Sequence, residues 1–342
     1  MRALFDIVHP ADVLFFKRPI EALQQRGDAV LIVSRHKDVT CTLLDELGLE
    51  HHPATKAGTS TLGLAMEFIL RDWSVLRAAR DFQPDVMIGF GGVAISHVGR
   101  VLSIPAVSFY DSENATIQNR LTWPFISRLY VPDSYQGQVP LGRTTRIPGV
   151  KELSYLHPSA FKPDRAVAVK LGLNPTIDNF FVRVVEWRAN HDLGKTGWPK
   201  DTLSKVIERL SALGRVHLST ETQLESEFTP YLVKGPKNSI HHLIAFCRML
   251  VGESATMASE AAILGVPAIY AGVDFPGYVK SLEKANLIIN IAEPSAEKLL
   301  LAVDAALARQ PAEIQADRDR YVADRPDWAK VVLNAIDDAV AS

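Results

Sequence analysis

The chain has 342 residues, enough for two domains, and its 47% hydrophobic and 22% charged residues are typical of a globular protein. A net charge of −2 gives no basis for nucleic-acid binding, and no apolar run approaches the ~20 residues of a membrane span. The distant Cys41 and Cys247 indicate neither a disulfide framework nor a zinc site. Because the N-terminus carries no signal-peptide pattern, we expect a cytoplasmic protein.

Strand-like and helical stretches alternate along the first half of the chain. Apolar runs predict strands at 3–8, 29–35, 84–90 and 105–113. Helical patterns follow at 14–27, 39–50, 62–80 and 91–104, and a loop over 9–12 precedes the first of them. Strands separated by helices of this length predict a parallel sheet with both faces covered.

The second half repeats this alternation after a polar, proline-containing linker at 157–179. Strands are predicted at 180–187, 215–221 and 249–254, and helices at 200–214, 239–248 and 295–310. We therefore predict an α/β protein with an N-terminal domain over 1–165 and a C-terminal domain over 166–325. Two such halves would place a cleft opposite the carboxyl ends of their strands.

The stretch "GESATMASEAAILGVPAI" (252–269) has the pattern of a strand, a tight turn, a helix and another strand. Ser254 and Thr256 would lie at the helix start, where open N–H groups and the helix dipole form an anion site. Glu260 lies six residues beyond Ser254, roughly 9 Å along a helix, about the span from a diphosphate to its ribose. In the alternative interpretation Ser254 is an ordinary cap and Glu260 a solvated helix residue.

Six segments carry a resemblance to known proteins: "FDIVHPADVLFFK", "PDVMIGFGG", "DSENATIQNRLTWP", "IPGVKELSYLHP", "VRVVEWRANHD" and the 252–269 stretch. Together they resemble domain-of-unknown-function family 354. They are also similar to GT-B enzymes such as the peptidoglycan N-acetylglucosaminyltransferase and the UDP-N-acetylglucosamine 2-epimerases. The resemblance implies a GT-B fold, two Rossmann-like domains facing across a cleft, with residues 326–342 as a helix crossing back to the N-terminal domain.

The resemblance also implies a nucleotide sugar as substrate, with no cofactor and no metal. It implies that Glu260 binds the ribose and that the turn at the helix start lies near the phosphates. The residues of that turn are Ser254, Ala255, Thr256 and Met257. The sequence itself shows no metal-ligand spacing, since the adjacent histidines of each His-His pair would face different directions.

The acceptor side of such a cleft would hold the loops after the strands predicted at 3–8 and 84–90. Gly91 and Gly92 permit positive φ and the close approach of a ligand, or form only a tight turn. An inverting sugar transfer needs a base for the acceptor hydroxyl. Family resemblance points to the position of Asp12 as the base, with His9 as the second choice. Asp12 as a helix N-cap is the alternative.

The stretch "YDSENATIQNRLTWPF" is unusually polar for a segment after a strand. Glu113 is a candidate acid and Asn119 a candidate sugar or acceptor contact. The epimerases carry a carboxylate just before a similar Asn-Arg pair, whereas this chain has Ile117 and Gln118 there. That departure favours a transferase over an epimerase. Alternatively, Asn119 and Arg120 form a structural tie between loop and sheet.

Two loops of the second half supply the remaining candidates. Arg188 is a fixed cation suited to a diphosphate, with His191 nearby; a salt bridge with a neighbouring acid is the alternative for Arg188. Asp274 follows a strand in a position where GT-B enzymes often contact the donor sugar.

The helix predicted over 62–80 is amphipathic and includes Phe68, Ile69 and Trp73. It either packs on the core or rests on a membrane surface near a lipid-linked acceptor. We therefore expect a glycosyltransferase that uses a UDP-sugar and an envelope or polysaccharide acceptor, cytoplasmic and peripheral to the membrane. A UDP-N-acetylglucosamine 2-epimerase and a non-catalytic nucleotide-sugar binder are the alternatives, and a homodimer is a candidate assembly.

Overall fold

The computed structural model describes residues 1–36, 39–56, 61–185, 197–220, 224–272 and 274–341. The chain divides into two compact units. The first unit is Met1–Tyr155 with Pro326–Ser342, and the second is Leu156–Arg325. The division falls before the sequence-predicted boundary at 165, because the start of the linker is held on the second unit. There the amide of Asp164 donates to Nδ1 of His242 at 2.9 Å, and the ring of Phe161 packs on that imidazole.

Seven parallel strands form the sheet of the first unit, in the order β3-β2-β1-β4-β5-β6-β7. They are β1 (Arg2–Ile7), β2 (Ala29–His36), β3 (His52–Lys56), β4 (Val86–Phe90), β5 (Ala106–Phe109), β6 (Arg128–Pro132) and β7 (Thr144–Ile147). From the adjacent pair β1 and β4, later strands are added outwards in both directions, so the strand order reverses between these two. Such a reversal is where open α/β sheets bind their ligands.

In the described part of the first unit, six α-helices accompany this sheet. They are α1 (Pro10–Gln25), α2 (Thr40–Glu46), α3 (Thr61–Phe82), α4 (Val93–Leu102), α5 (Thr116–Thr122) and, from the end of the chain, α13 (Trp328–Val340). The loop predicted over 9–12 is wrong, because α1 already begins at Pro10, with His9 as its N-cap residue. Proline favours the first helical position, since its fixed φ suits a helix and no N–H is lost there. Asp12 therefore lies within the first turn rather than before it.

Helix α3 exposes much of its apolar surface. Val75 and Ala79 are buried, but Phe68, Ile69 and Trp73 are exposed, so the core-facing interpretation fails for these three side chains. Among the helices that the structure describes, none combines the length and the apolar character needed to cross a membrane.

The core of the first unit contains an aromatic cluster that joins both ends of the chain. Phe15 of α1 packs against Phe16 and Phe109 with ring centroids 4.8 and 5.3 Å apart, and Trp328 of α13 lies 6.2 Å from Phe15. All four side chains are almost completely buried. The indole Nε1 of Trp328 donates to the carbonyl of Pro148 at 3.1 Å, so the ring is satisfied as well as packed.

Asp327 fixes the start of α13 in two ways. Its Oδ1 accepts a hydrogen bond from the amide of Ala329, which caps the helix, and both its oxygens bind the Arg18 guanidinium at 2.8 Å. We expect Asp327→Ala to lower the free energy of unfolding by about 2–4 kcal/mol, because a cap is lost and a partly buried cation loses its partner. Chemical denaturation measures this change.

Asp337 on the same helix offers a matched control. It pairs with Arg26 at 2.9 Å, but both side chains are well exposed to solvent. Asp337→Ala should therefore cost less than about 1 kcal/mol. Equal losses in the two variants would contradict the role assigned to Asp327.

Five parallel strands form the sheet of the second unit, in the order β12-β11-β10-β8-β9. They are β8 (Asp178–Val184), β9 (Gly214–Thr220), β10 (Met249–Gly252), β11 (Ala268–Tyr270) and β12 (Ile288–Asn290). The helices are α6 (Arg165–Lys170), α7 (Lys200–Ser211), α8 (Ile240–Ile244), α9 (Ala255–Ile263), α10 (Gly277–Lys284), α11 (Ala296–Ala308) and α12 (Pro311–Ala323). The strand order reverses between β8 and β10. A Cβ at Gly252 would overlap the Arg183 carbonyl of β8, so only glycine fits at the end of β10.

Candidate functional site

The strand-order reversal of the first unit brings together two segments that the sequence singled out. His9 and Asp12 follow β1, and Gly91 and Gly92 follow β4, its neighbour in the sheet. Since parallel strands end at the same edge, both loops lie at the carboxyl edge beside the point of reversal. This edge is the candidate acceptor side.

Asp12 is a buried carboxylate with one oxygen fixed by the backbone. Its Oδ2 accepts hydrogen bonds from the amides of Val8 at 3.2 Å and His9 at 2.9 Å, while Oδ1 accepts none within the described residues. Burial raises its pKa to about 7, outweighing these two amides and the charge of Lys151, which lower it. A held carboxylate that takes up a proton near neutral pH is suited to act as a base. The side chain of His9, the second choice, is exposed.

A buried ion pair lies at the same edge of the sheet. Nζ of Lys151 is 2.7 Å from Oδ2 of Asp111, the second residue after β5, and both side chains are almost inaccessible. The ammonium group also lies 5.3 Å from the centre of the Phe90 ring. Lys151 belongs to a 3-10 turn over Lys151–Ser154 that follows β7. Sequence analysis assigned no role to Lys151, although "IPGVKELSYLHP" was among the segments carrying the family resemblance.

Glu113 and Asn119 follow Asp111 in the same polar stretch of the sequence, but they make different contacts. Nδ2 of the buried Asn119 donates to the Tyr135 hydroxyl at 3.3 Å, and its Oδ1 has no partner in the described part of the chain. A buried acceptor without a partner marks a place for water or a ligand. Oε1 of Glu113 instead accepts from the amide of Gln136 at 3.2 Å, which ties the polar segment to the turn after β6.

Gly91 and Gly92 have φ angles of +79° and +66°, which favour glycine, as the turn interpretation requires. A Cβ on Gly91 would overlap the amide of Gln118, and one on Gly92 would overlap the side chain of Ile95. The turn therefore accounts for glycine at these two positions, and contact of Gly91 and Gly92 with a ligand stays a prediction.

In the second unit the strand order reverses between β8 and β10, and Glu253 directly follows β10 at that point. Its Oε1 accepts from the amide of Trp198 at 2.7 Å and its Oε2 from that of Val185 at 3.2 Å. Burial raises the pKa of this carboxyl. Arg188 and His191, the predicted diphosphate ligands, lie outside the described residues. Sequence reasoning overlooked Glu253, because nothing in its spacing reveals which distant amides it binds.

The tip of α9 combines a cap with open amides. Oγ of Ser254 accepts from the amide of Met257 at 3.3 Å, so the capping interpretation holds and the Met257 amide is already occupied. Among the described residues, no acceptor binds the amides of Ala255 and Thr256. Both residues are only half-buried. Open amides at the positive end of a helix can hold an anion such as a phosphate.

Glu260 lies further along α9 and is 4% exposed, so its interpretation as a solvated helix residue is wrong. One of its oxygens lies 3.0 Å from Nε2 of His241, the second residue of α8, and this imidazole is equally buried. This contact holds the Glu260 carboxylate in place, further along α9 than the tip at Ser254. Asp274, in the loop after β11, is half-buried and accepts the Tyr270 hydroxyl on its main-chain carbonyl at 2.7 Å.

The adjacent histidines of α8 contact separate groups and do not form a cluster. His241 faces Glu260, whereas Nδ1 of His242 accepts the amide of Asp164. Within the described ranges, no group of three or more His, Cys, Asp or Glu side chains could hold a metal ion.

Comparisons with known proteins agree with this architecture. The chain is 23% identical over 289 residues to the UDP-N-acetylglucosamine–N-acetylmuramyl-(pentapeptide) pyrophosphoryl-undecaprenol N-acetylglucosamine transferase of Latilactobacillus sakei subsp. sakei, covering 73% of this chain and 74% of the relative. Among solved structures, the kitacinnamycin glycotransferase superposes with a TM-score of 0.68 at 14% identity over 99% of both chains. The UDP-GlcNAc 2-epimerase of Methanocaldococcus jannaschii, solved with UDP-GlcNAc and UDP, gives 0.64 at 15% identity over 91% of this chain and 94% of its own.

These similarities confirm the fold predicted from the sequence, a GT-B fold with parallel sheets. The sequence model of the family described as "Protein of unknown function (DUF354)" matches residues 1–290, most of the chain. The chain therefore belongs to the DUF354 family.

Proposed function

We propose that this protein is a glycosyltransferase that moves a sugar from a nucleotide diphosphate, a UDP-sugar, to a hydroxyl of an envelope or polysaccharide acceptor. The geometry of Asp12 carries the proposal: one oxygen held by two amides, the other without a hydrogen bond in the described chain, and a pKa of about 7. Such a carboxylate meets the requirements of the base in an inverting transfer.

The donor would be held by the second unit. The open amides of Ala255 and Thr256 would receive the diphosphate at the tip of α9, and Glu260 would bind the ribose hydroxyls. Arg188, with His191, remains the sequence-predicted cation for the diphosphate, and Asp274 the predicted contact for the sugar. The names of the solved relatives support a nucleotide-sugar partner, since one of them was solved with UDP-GlcNAc and UDP.

The proposed reaction is a single displacement. Oδ1 of Asp12 takes the proton from the acceptor hydroxyl while that oxygen forms its bond to the anomeric carbon of the sugar. The bond from this carbon to the diphosphate oxygen breaks, and UDP leaves with the electron pair. The open amides at the tip would stabilise the charge that grows on the leaving diphosphate.

Incubation with UDP-N-acetylglucosamine alone and with candidate acceptors, followed by NMR, tests the proposal. We expect acceptor-dependent release of UDP and a new glycosidic bond, unchanged by EDTA. Conversion of the donor to its 2-epimer without acceptor would identify an epimerase instead. Tight binding of UDP-sugars without any turnover would identify a non-catalytic binder.

A further inference from the structure

Four exposed apolar side chains line one face of α3. Met66, Ile69, Leu70 and Trp73 follow the i, i+3, i+4, i+7 spacing of a single helical stripe, and each is between 52% and 65% exposed. A globular protein normally turns such a stripe to its core. In α3 the core instead takes another stripe, which includes Val75 and Ala79.

The apolar stripe continues onto α4 and α5. His97 of α4 joins the three helices: its Nδ1 is 2.7 Å from Asp72 of α3, its Nε2 is 3.0 Å from the Leu121 carbonyl, and its ring packs edge-on against Phe125. Further large apolar side chains are exposed on or just after these helices. They are Val101, Ile117, Leu121 and Phe125. We call these side chains, together with the stripe on α3, the α3–α5 surface; all of it lies in the first unit.

Arginines border this apolar area. Arg77 and Arg80 continue the exposed stripe along α3, and Arg100 and Arg120 are exposed on α4 and α5. In the described part of the chain, none of the four forms an ion pair. Helices α4 and α5 contain no acidic residue. Helix α3 contains Glu67, Asp72 and Asp81, so the three helices together hold five arginines and three acidic residues. The surface therefore carries a small excess of positive charge in a chain whose net charge is −2.

We propose that the α3–α5 surface docks on an anionic lipid bilayer. Apolar side chains that include a tryptophan would enter the interface, while the bordering arginines would meet the lipid phosphates. A second copy of this chain is a poorer occupant, because a two-fold contact would bring the arginines of both copies together with fewer acids than arginines to neutralise them. A groove of about 760 Å³ at the edge of the surface, lined by Arg100 and Phe125 among others, adds room for a headgroup.

Vesicle co-sedimentation tests the proposal without any sugar substrate, so its failure is separate from that of the transferase assignment. The wild-type chain should bind vesicles of phosphatidylcholine mixed with phosphatidylglycerol, and bind pure phosphatidylcholine much more weakly. Ile69→Ser with Trp73→Ser should lower the binding at least tenfold. Arg77→Gln and Arg100→Gln should each lower it about fivefold, the value for ~1 kcal/mol per arginine.

Leu301→Ser is the matched control, because Leu301 is 64% exposed on α11, outside this surface. This variant should bind vesicles like the wild type, and every variant should keep its melting temperature and UDP affinity. The proposal would be overturned if the wild-type chain did not bind the anionic vesicles. It would also be overturned if the Ile69/Trp73 double variant bound them as well as the wild type. If sedimentation velocity shows that the wild-type chain is a dimer and that the double variant is a monomer, the occupant of the surface is a second copy.

Discussion

Replacing Asp12 by Asn is expected to lower the turnover of sugar transfer by about 100- to 10,000-fold, the range for loss of a general base. Asparagine has nearly the same shape and can still accept the amides of Val8 and His9, but it cannot take a proton. The affinity for UDP should not change, because the proposed donor contacts lie on the second unit. Steady-state kinetics and calorimetry on the same preparation measure both quantities.

The pH dependence gives this prediction a second readout. The Asp12 pKa rises from 3.8 to about 7 through burial, so the base is ionised only above neutral pH and the wild-type rate should fall below pH 7. The folded state also holds this proton more tightly than the unfolded chain. Its contribution to stability is therefore complete below pH ~4 and is lost as pH rises through 7.

Asp12→Asn should therefore be at least as stable as the wild type at pH 8, because it removes a buried charge. A carboxylate present only to cap α1 would give the opposite result, a destabilised variant with normal turnover. His9→Gln is the control that separates the two candidate bases. Full activity in the Asp12 variant together with a loss in the His9 variant would transfer the role to His9.

Glu260→Gln should weaken UDP binding by about tenfold to a hundredfold. Hydrogen bonds to a charged group are worth about 1.5–3 kcal/mol, and the ribose hydroxyls would lose that charge. Glutamine keeps the size and shape of the side chain next to His241, so the buried contact of α8 with α9 is retained. Calorimetric titration with UDP measures the change, and thermal melting shows whether the variant remains folded.

Comparison with 2′-deoxy-UDP identifies the interaction that is lost. Wild-type protein should bind UDP more tightly than the deoxy analogue, and Glu260→Gln should bring the ratio of the two affinities closer to one. Ser254→Ala provides a contrast at the tip of the same helix: it removes a cap worth about 1 kcal/mol of stability but leaves the ribose preference intact. A folded Glu260 variant with unchanged UDP affinity and unchanged ribose preference would show that the acid serves only the contact with His241.

Local pattern was sufficient to locate most of the sheet-forming elements. The strongly apolar strands β1, β2 and β10 and the helix after Ser254 lie within a residue or two of their predicted positions. β3 and β7 escaped prediction, because "HPATK" and "TTRI" have neither an apolar run nor clean alternation. Their neighbours in the sheet, not their own propensity, make them strands.

The candidate site was less accessible to sequence reasoning, because its decisive properties arise from distant contacts. Asp12 could be named from its position, but its raised pKa depends on burial that only the fold creates. Lys151 meets Asp111 across 40 positions of sequence, and Glu253 binds amides 55 and 68 positions away. No spacing rule reaches that far. The glycine turns, by contrast, could be predicted, because the positive φ angle that favours glycine is a local property of the turn.

The placement of Trp328 beside Phe15 has a consequence for biosynthesis. Residues 326–342 belong to the first unit although they are translated after the whole of the second. On the ribosome, the N-terminal sheet lacks Trp328 from its aromatic cluster until α13 has been synthesised. The second unit is one uninterrupted segment, so it can fold earlier. Protection of Phe15 and Phe109 from the aqueous surroundings is thus completed only after residues 326–342 have been synthesised.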